Sequence, residues 1–169
     1  MKTKKITTMA LLTAIALTIF MVEAQIPAFI PLPGVKLGLS NIVTVFAVFA
    51  LGPGEAVGIL FARIFLGSIF AGNFSSILYS AAGGGLAILV TILLRKLIKK
   101  DQLFVAGALG AVAHSVGQVA MAVILTATPG LAVYLPPLMA ISVVTGCCTG
   151  LAAQYLVNRG NIQWKISSN

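Results

Sequence analysis

The sequence predicts an all-α membrane protein, a six-transmembrane-helix bundle, and three observations carry that expectation. Hydrophobic residues make up 59% of the 169 and charged residues only 8%, whereas a water-facing domain carries about 25% charged residues. The apolar residues fall into runs near the length of about 20 that a bilayer-crossing helix needs. Lysine and arginine gather in the connections at one side of alternate runs, as topology-setting charge does.

Pro, Gly and charge divide the chain into six candidate spans within a single domain over residues 1–169. The first, about 6–26, is ended by Pro27, Pro31, Pro33 and Gly34. The second, 36–51, is closed by Gly52-Pro53-Gly54, and the third, 55–71, stops at Gly72-Asn73. The fourth, 75–94, runs into Arg95, Lys96, Lys99 and Lys100. The fifth, 103–126, precedes Thr128-Pro129-Gly130, and the sixth, 135–157, opens on Pro136-Pro137, which suit a first helical turn. Spans two and three have only 16 or 17 residues, so they are expected to sit deep in protein or to thin the bilayer locally. The connection over residues 25–35 is apolar and holds three prolines, stiff enough to act as a lid over an external pocket or to lie as a re-entrant loop.

Orientation follows from basic charge. With six spans and a cytoplasmic N-terminus, Lys2, Lys4, Lys5, Arg95, Lys96, Lys99, Lys100, Arg159 and Lys165 fall inside, which is nine of the eleven Lys and Arg. Only Lys36 falls outside, and Arg63 lies within a span. Both termini are then cytoplasmic in a multi-pass membrane protein. A secretory signal ending at Val22-Glu23-Ala24 is the competing reading of the N-terminus; its apolar stretch is long, and cleavage would leave an odd number of spans.

The acidic residues are Glu23, Glu55 and Asp101. So few carboxylates exclude most hydrolases, Mg-dependent phosphoryl chemistry and carboxylate-rich metal cages, so neither catalytic residues nor a metal or cofactor site is expected. The isoelectric point near 9.9 comes from clusters between apolar runs rather than one solvated face, which argues against a nucleic-acid partner. Cys147 and Cys148 are adjacent within an apolar run and have no second pair to form a zinc or redox site.

Arg63 is the most informative residue. An arginine at mid-bilayer costs at least about 2.5 to 3.5 kcal/mol, so it should face the bundle interior, either paired with Glu23 or anchoring an anionic ligand group. Other polar residues converge on the same outer half: Glu23 and Gln25 at the end of helix one, Lys36, Ser40 and Thr44 at four-residue spacing with Asn41 beside them, and Asn73, Ser75, Ser76 and Tyr79 opening helix four. His114 and Gln118 stand one turn apart on helix five, and Tyr134 precedes helix six. Together they predict a pocket open to the exterior, with Glu23, Lys36, Asn41, Arg63, Asn73, Tyr79, His114 and Gln118 as candidate ligand-binding residues. Some have plain structural alternatives, since Asn73 or Ser75 would cap helix four and His114 would serve as a satisfied core histidine. Gly83-Gly84-Gly85 exposes backbone to a closely packed helix or to a ligand, and no phosphate-loop Lys-Ser/Thr follows it.

Small residues recur four apart at Ala10 and Ala14, Gly58 and Ala62, Gly107 and Ala111, Ala113 and Gly117, and Gly146 and Gly150, as close helix contacts in lipid require. At 100° per residue Glu23 lies about 180° from Ala14 and about 220° from Ala10. If Glu23 faces inward, Ala10 and Ala14 face a partner helix.

Six spans in a short chain, with Ala10-Leu11-Leu12-Thr13-Ala14 early in helix one, resemble the substrate-binding S components of energy-coupling factor (ECF) transporters. The stretches Leu32-Pro33-Gly34-Val35-Lys36-Leu37-Gly38-Leu39-Ser40-Asn41-Ile42-Val43, Arg63-Ile64-Phe65-Leu66-Gly67-Ser68 and Tyr79-Ser80-Ala81-Ala82-Gly83-Gly84-Gly85 resemble the bacterial Gx transporter family, also labelled heptaprenyl diphosphate synthase component I. The resemblance implies the ECF S-component bundle and a substrate-capturing subunit that takes a small, partly apolar, anionic or vitamin- or quinone-precursor-like ligand. It implies docking through Ala10 and Ala14 on a transmembrane coupling subunit that carries two ATPases. The synthase label conflicts with the chemistry of prenyl transfer, which binds Mg-diphosphate through aspartate-rich motifs, because Asp101 is the only aspartate. The rival expectation is a noncatalytic membrane accessory of polyprenyl diphosphate or menaquinone synthesis, or of an electron-transfer assembly.

Overall fold

The computed structural model describes residues 2–26, 36–72 and 75–160. Within them lie helices α1 (Lys2–Glu23), α2 (Asn41–Ala50), α3 (Pro53–Phe70), α4 (Ser75–Leu94), α5 (Leu103–Thr126) and α6 (Leu135–Arg159), with 3₁₀ turns at Lys100–Gln102 and Pro129–Tyr134. All but α2 are long and apolar enough to cross a membrane. Their outward surfaces carry Phe61, Phe65, Leu89, Leu93, Ile124 and Val144, each more than half exposed. Water would not tolerate such a belt, and lipid requires it.

The second helix departs from expectation. It starts at Asn41 rather than Lys36 and has ten residues, a length of about 15 Å at 1.5 Å per residue. Gly38 takes φ +77, a left-handed conformation that interrupts any helix begun before it. Lys36 is therefore not on a helical face with Ser40 and Thr44. Most of α2 is buried, and it touches α1, α3, α4, α5 and α6, so it is the central post of the bundle. Its Val45, Val48 and Phe49 are buried in one apolar core with Leu103 and Val157.

Two close crossings hold α4, α5 and α6 together. A Cβ on Gly107 would collide with the Gly146 carbonyl, and one on Gly150 would stand 2.7 Å from the Leu103 carbonyl oxygen. A Cβ on Gly117 would stand 2.5 Å from the Ala82 carbonyl oxygen. Such contact between main chains is how helices gain attraction in lipid, where apolar burial drives little. Buried hydroxyls are satisfied internally, with Ser115 Oγ 2.6 Å from Ser142 Oγ across the α5–α6 seam and Thr91 donating to the Ala87 carbonyl at 2.8 Å.

Helices α1 and α3 run parallel, as three contacts in order show. Lys5 pairs with Glu55, Met9 lies against Gly58, and Phe20 lies against Gly67.

Candidate functional site

α1 buries Thr13, Ala16, Phe20 and Glu23, a stripe at helical spacing, so its last residue enters the bundle. Glu23 does not form the pair considered with Arg63. Its Oε1 accepts the Gly38 amide at 2.5 Å and its Oε2 the Leu39 amide at 3.1 Å. These N–H groups precede α2, whose N-cap Ser40 makes no side-chain cap bond. The carboxylate thus fixes from another helix the turn that leads into α2, while the first N–H groups of α2 itself donate to the carbonyls of Gly38, Leu39 and Ser40. Among the described residues the ion pair is Lys5 with Glu55, at the opposite end of α1.

Two cations share one ring. The Lys36 ammonium lies 3.5 Å from the centroid of Phe20 and the Arg63 guanidinium 5.5 Å from it, within cation–π range. Lys36 is also fixed through its main chain, whose N–H donates to Gln118 Oε1 at 3.2 Å. Phe20 carries no sequence signal for this role, because an aromatic ring on an apolar helix reads as core.

Glycine backbone forms the wall between these groups. A Cβ on Gly84 would stand 3.6 Å from Arg63 Nη2, one on Gly83 3.0 Å from His114 Cε1 and 2.8 Å from Gln118 Cγ, and one on Gly38 3.0 Å from both Asn41 Nδ2 and His114 Cδ2. Gly83 is thus pressed against α5, while Gly85 has open space beside it. Arg63, His114, Asn41 and Gln118 are neighbours around these glycines, and each is 3% exposed or less. Tyr79 is buried one turn before Gly83 on α4. Asn73 and residues 27–35 lie outside the described residues, so the expected lid does too.

Asn41 Nδ2, Asn41 Oδ1, Arg63 Nη2 and His114 Nδ1 are buried without a hydrogen-bond partner, as is Gln154 Oε1 on α6. Buried polar atoms are normally satisfied, so four orphans at one place mark a polar cluster whose hydrogen-bonding demands the described residues leave unmet. Among the described residues no three His, Cys, Asp or Glu side chains gather as a metal site.

Ala10 and Ala14 are on the exposed side of α1, opposite Glu23 as the helical angle predicts. They line a groove of about 490 Å³ with Thr13 from α1 and Gly58, Ala62 and Leu66 from α3.

The profile of one protein family, described as heptaprenyl diphosphate synthase component I, matches residues 12–156. The chain belongs to that family. The match takes in the polar cluster whole, from Phe20 and Glu23 to Gln118, and agrees with the resemblance carried by the residues around Lys36, Arg63 and Gly83. The name of the heptaprenyl diphosphate synthase component I family refers to one component of a synthase. No curated protein matches the sequence.

Proposed function

We propose that this chain is a noncatalytic membrane subunit of heptaprenyl diphosphate synthesis that holds an anionic, partly apolar ligand in the chamber between α1, α3, α4 and α5. The observation that carries this reading is Arg63, buried with Nη2 unpartnered while Glu23 is committed to Gly38 and Leu39. Arg63 and Lys36 carry two positive charges against the single Glu23 carboxylate that acts on both, and an anionic ligand relieves the cost of the charge left over in a low-dielectric interior. The three acids stand apart: Glu23 accepts two amides, Glu55 pairs with Lys5 at the opposite end of α1, and Asp101 lies on an exposed turn near Asn158. They do not gather around a common point where a metal-bound diphosphate would be held, so prenyl transfer belongs to a partner subunit. Lys5 and Glu55 stand at the end of α1 away from the ligand site, and Arg95 approaches Gly52 there; by the positive-inside rule this supports reading both termini as cytoplasmic and the site as facing the exterior of a bacterial cell membrane.

The test is thermal stabilisation of the purified protein by farnesyl diphosphate, together with copurification of a soluble synthase subunit. Stabilisation that Arg63→Ala abolishes is the expected result; none in the wild type, or an equal shift in the variant, overturns the reading.

One observation favours a second reading, an S-component-like importer. The Ala10 and Ala14 stripe is exposed above an apolar groove, the face on which an ECF coupling subunit with two ATPases would dock. Uptake that requires both this chain and the ATPases decides for it.

A further inference from the structure

The chamber's orphaned atoms make two opposite demands. Arg63 Nη2 is a donor, and Arg63 and the Lys36 ammonium on the same Phe20 ring outnumber the one carboxylate that acts on both, Glu23, so the cluster calls for a further anionic acceptor. Asn41 calls for more, because both its amide nitrogen and its carbonyl oxygen are unpartnered at a residue only 3% exposed. Rotating that amide by half a turn exchanges the two atoms and leaves both demands in place. His114, whose edge meets Gly38 beside the Asn41 amide, adds Nδ1 as another unpartnered atom. An anion made only of acceptors satisfies Arg63 and Lys36 and leaves the Asn41 oxygen buried without a hydrogen.

Resting on the reading of this cluster as a ligand site, we infer that it selects an oxyanion that keeps a hydrogen of its own, the monoprotonated form of a phosphoryl monoester, and rejects acceptor-only anions of the same shape. Asn41 is the residue that determines this specificity: its Nδ2 shares the anionic oxygens with Arg63 and its Oδ1 accepts the P–OH. A site built to bond a ligand hydrogen discriminates sharply against an analogue lacking it, because its own polar atom is then stranded.

The probes are phenyl phosphate and phenyl sulfate, titrated calorimetrically into the full-length protein in neutral detergent at about pH 5.5, below the second phosphate pKa of about 6. At that pH phenyl phosphate carries one hydrogen and phenyl sulfate carries none. Wild-type protein should bind the phosphate at least about tenfold more tightly, Asn41→Leu should bring the ratio to about one, and Arg63→Gln should remove both. Equal wild-type affinities that Arg63→Gln still abolishes leave the ligand chamber standing and overturn the selectivity. An unchanged ratio in Asn41→Leu overturns the role of Asn41. Binding of neither probe overturns this inference and the anion-holding chamber together. The wild-type ratio decides without any variant having to fold.

Discussion

Glu23 accepts the amide of Gly38 at 2.5 Å, and with the neighbouring bond to Leu39 it ties the end of α1 to the start of α2. Hydrogen bonds to a buried charge contribute about 1.5–3 kcal/mol each. Glu23→Ala should therefore lower the unfolding free energy by about 3 kcal/mol, and Glu23→Gln, which keeps one acceptor, by about half of that. Denaturant titration in neutral detergent measures both. A loss in Glu23→Ala below about 1 kcal/mol would mean that the amides find other partners.

Asn41 leads to an opposite expectation. With both its side-chain polar atoms orphaned, it destabilises the empty protein, and an apolar residue of similar volume relieves that burden. Asn41→Leu should raise the unfolding free energy without ligand by about 1–2 kcal/mol. A midpoint that falls instead would assign Asn41 a structural role.

Glycines that look alike in the sequence should behave differently. Gly107 meets the Gly146 main chain, whereas Gly85 has open space around it. Gly107→Val should cost about 3 kcal/mol or more, and Gly85→Ala should stabilise by about 0.5–1 kcal/mol through helix propensity. Thermal melts of the two variants side by side test the α5–α6 crossing; equal shifts would refute it.

The exposed stripe on α1 is tested by Ala10→Leu combined with Ala14→Leu. Both side chains point into the open groove, so stability should change by less than about 0.5 kcal/mol while copurification of any membrane partner is lost. Retained copurification removes this face as the interface.

Much of this architecture is legible in composition. The limits of α4 and α5 follow from the Pro, Gly and basic residues around them, because these change the local conformation or hydration of the chain whatever lies nearby. The start of α2 is not legible in that way. Lys36-Leu37-Gly38-Leu39-Ser40 has the hydropathy of a helix entrance; the break comes at Gly38 in its left-handed conformation, whose amide is held by a carboxylate fifteen residues earlier. Arg63, His114 and Gln118 stand out as polar groups in apolar runs, since a bilayer makes every such group conspicuous. Phe20 does not, because its role lies in which cations approach its face. A charge pair is the simplest partner to assign to Glu23 by composition, but backbone amides have no letter in a sequence.

The α5–α6 crossing determines the order in which the molecule comes apart. Where the main chains of Gly107 and Gly146 touch, neither a lipid tail nor a denaturant molecule fits between them, so the amides along that seam should exchange their hydrogens most slowly. The hook from Glu23 to Gly38 lies outside that protected strip, and heating should release it first, emptying the chamber while α5 and α6 remain clasped.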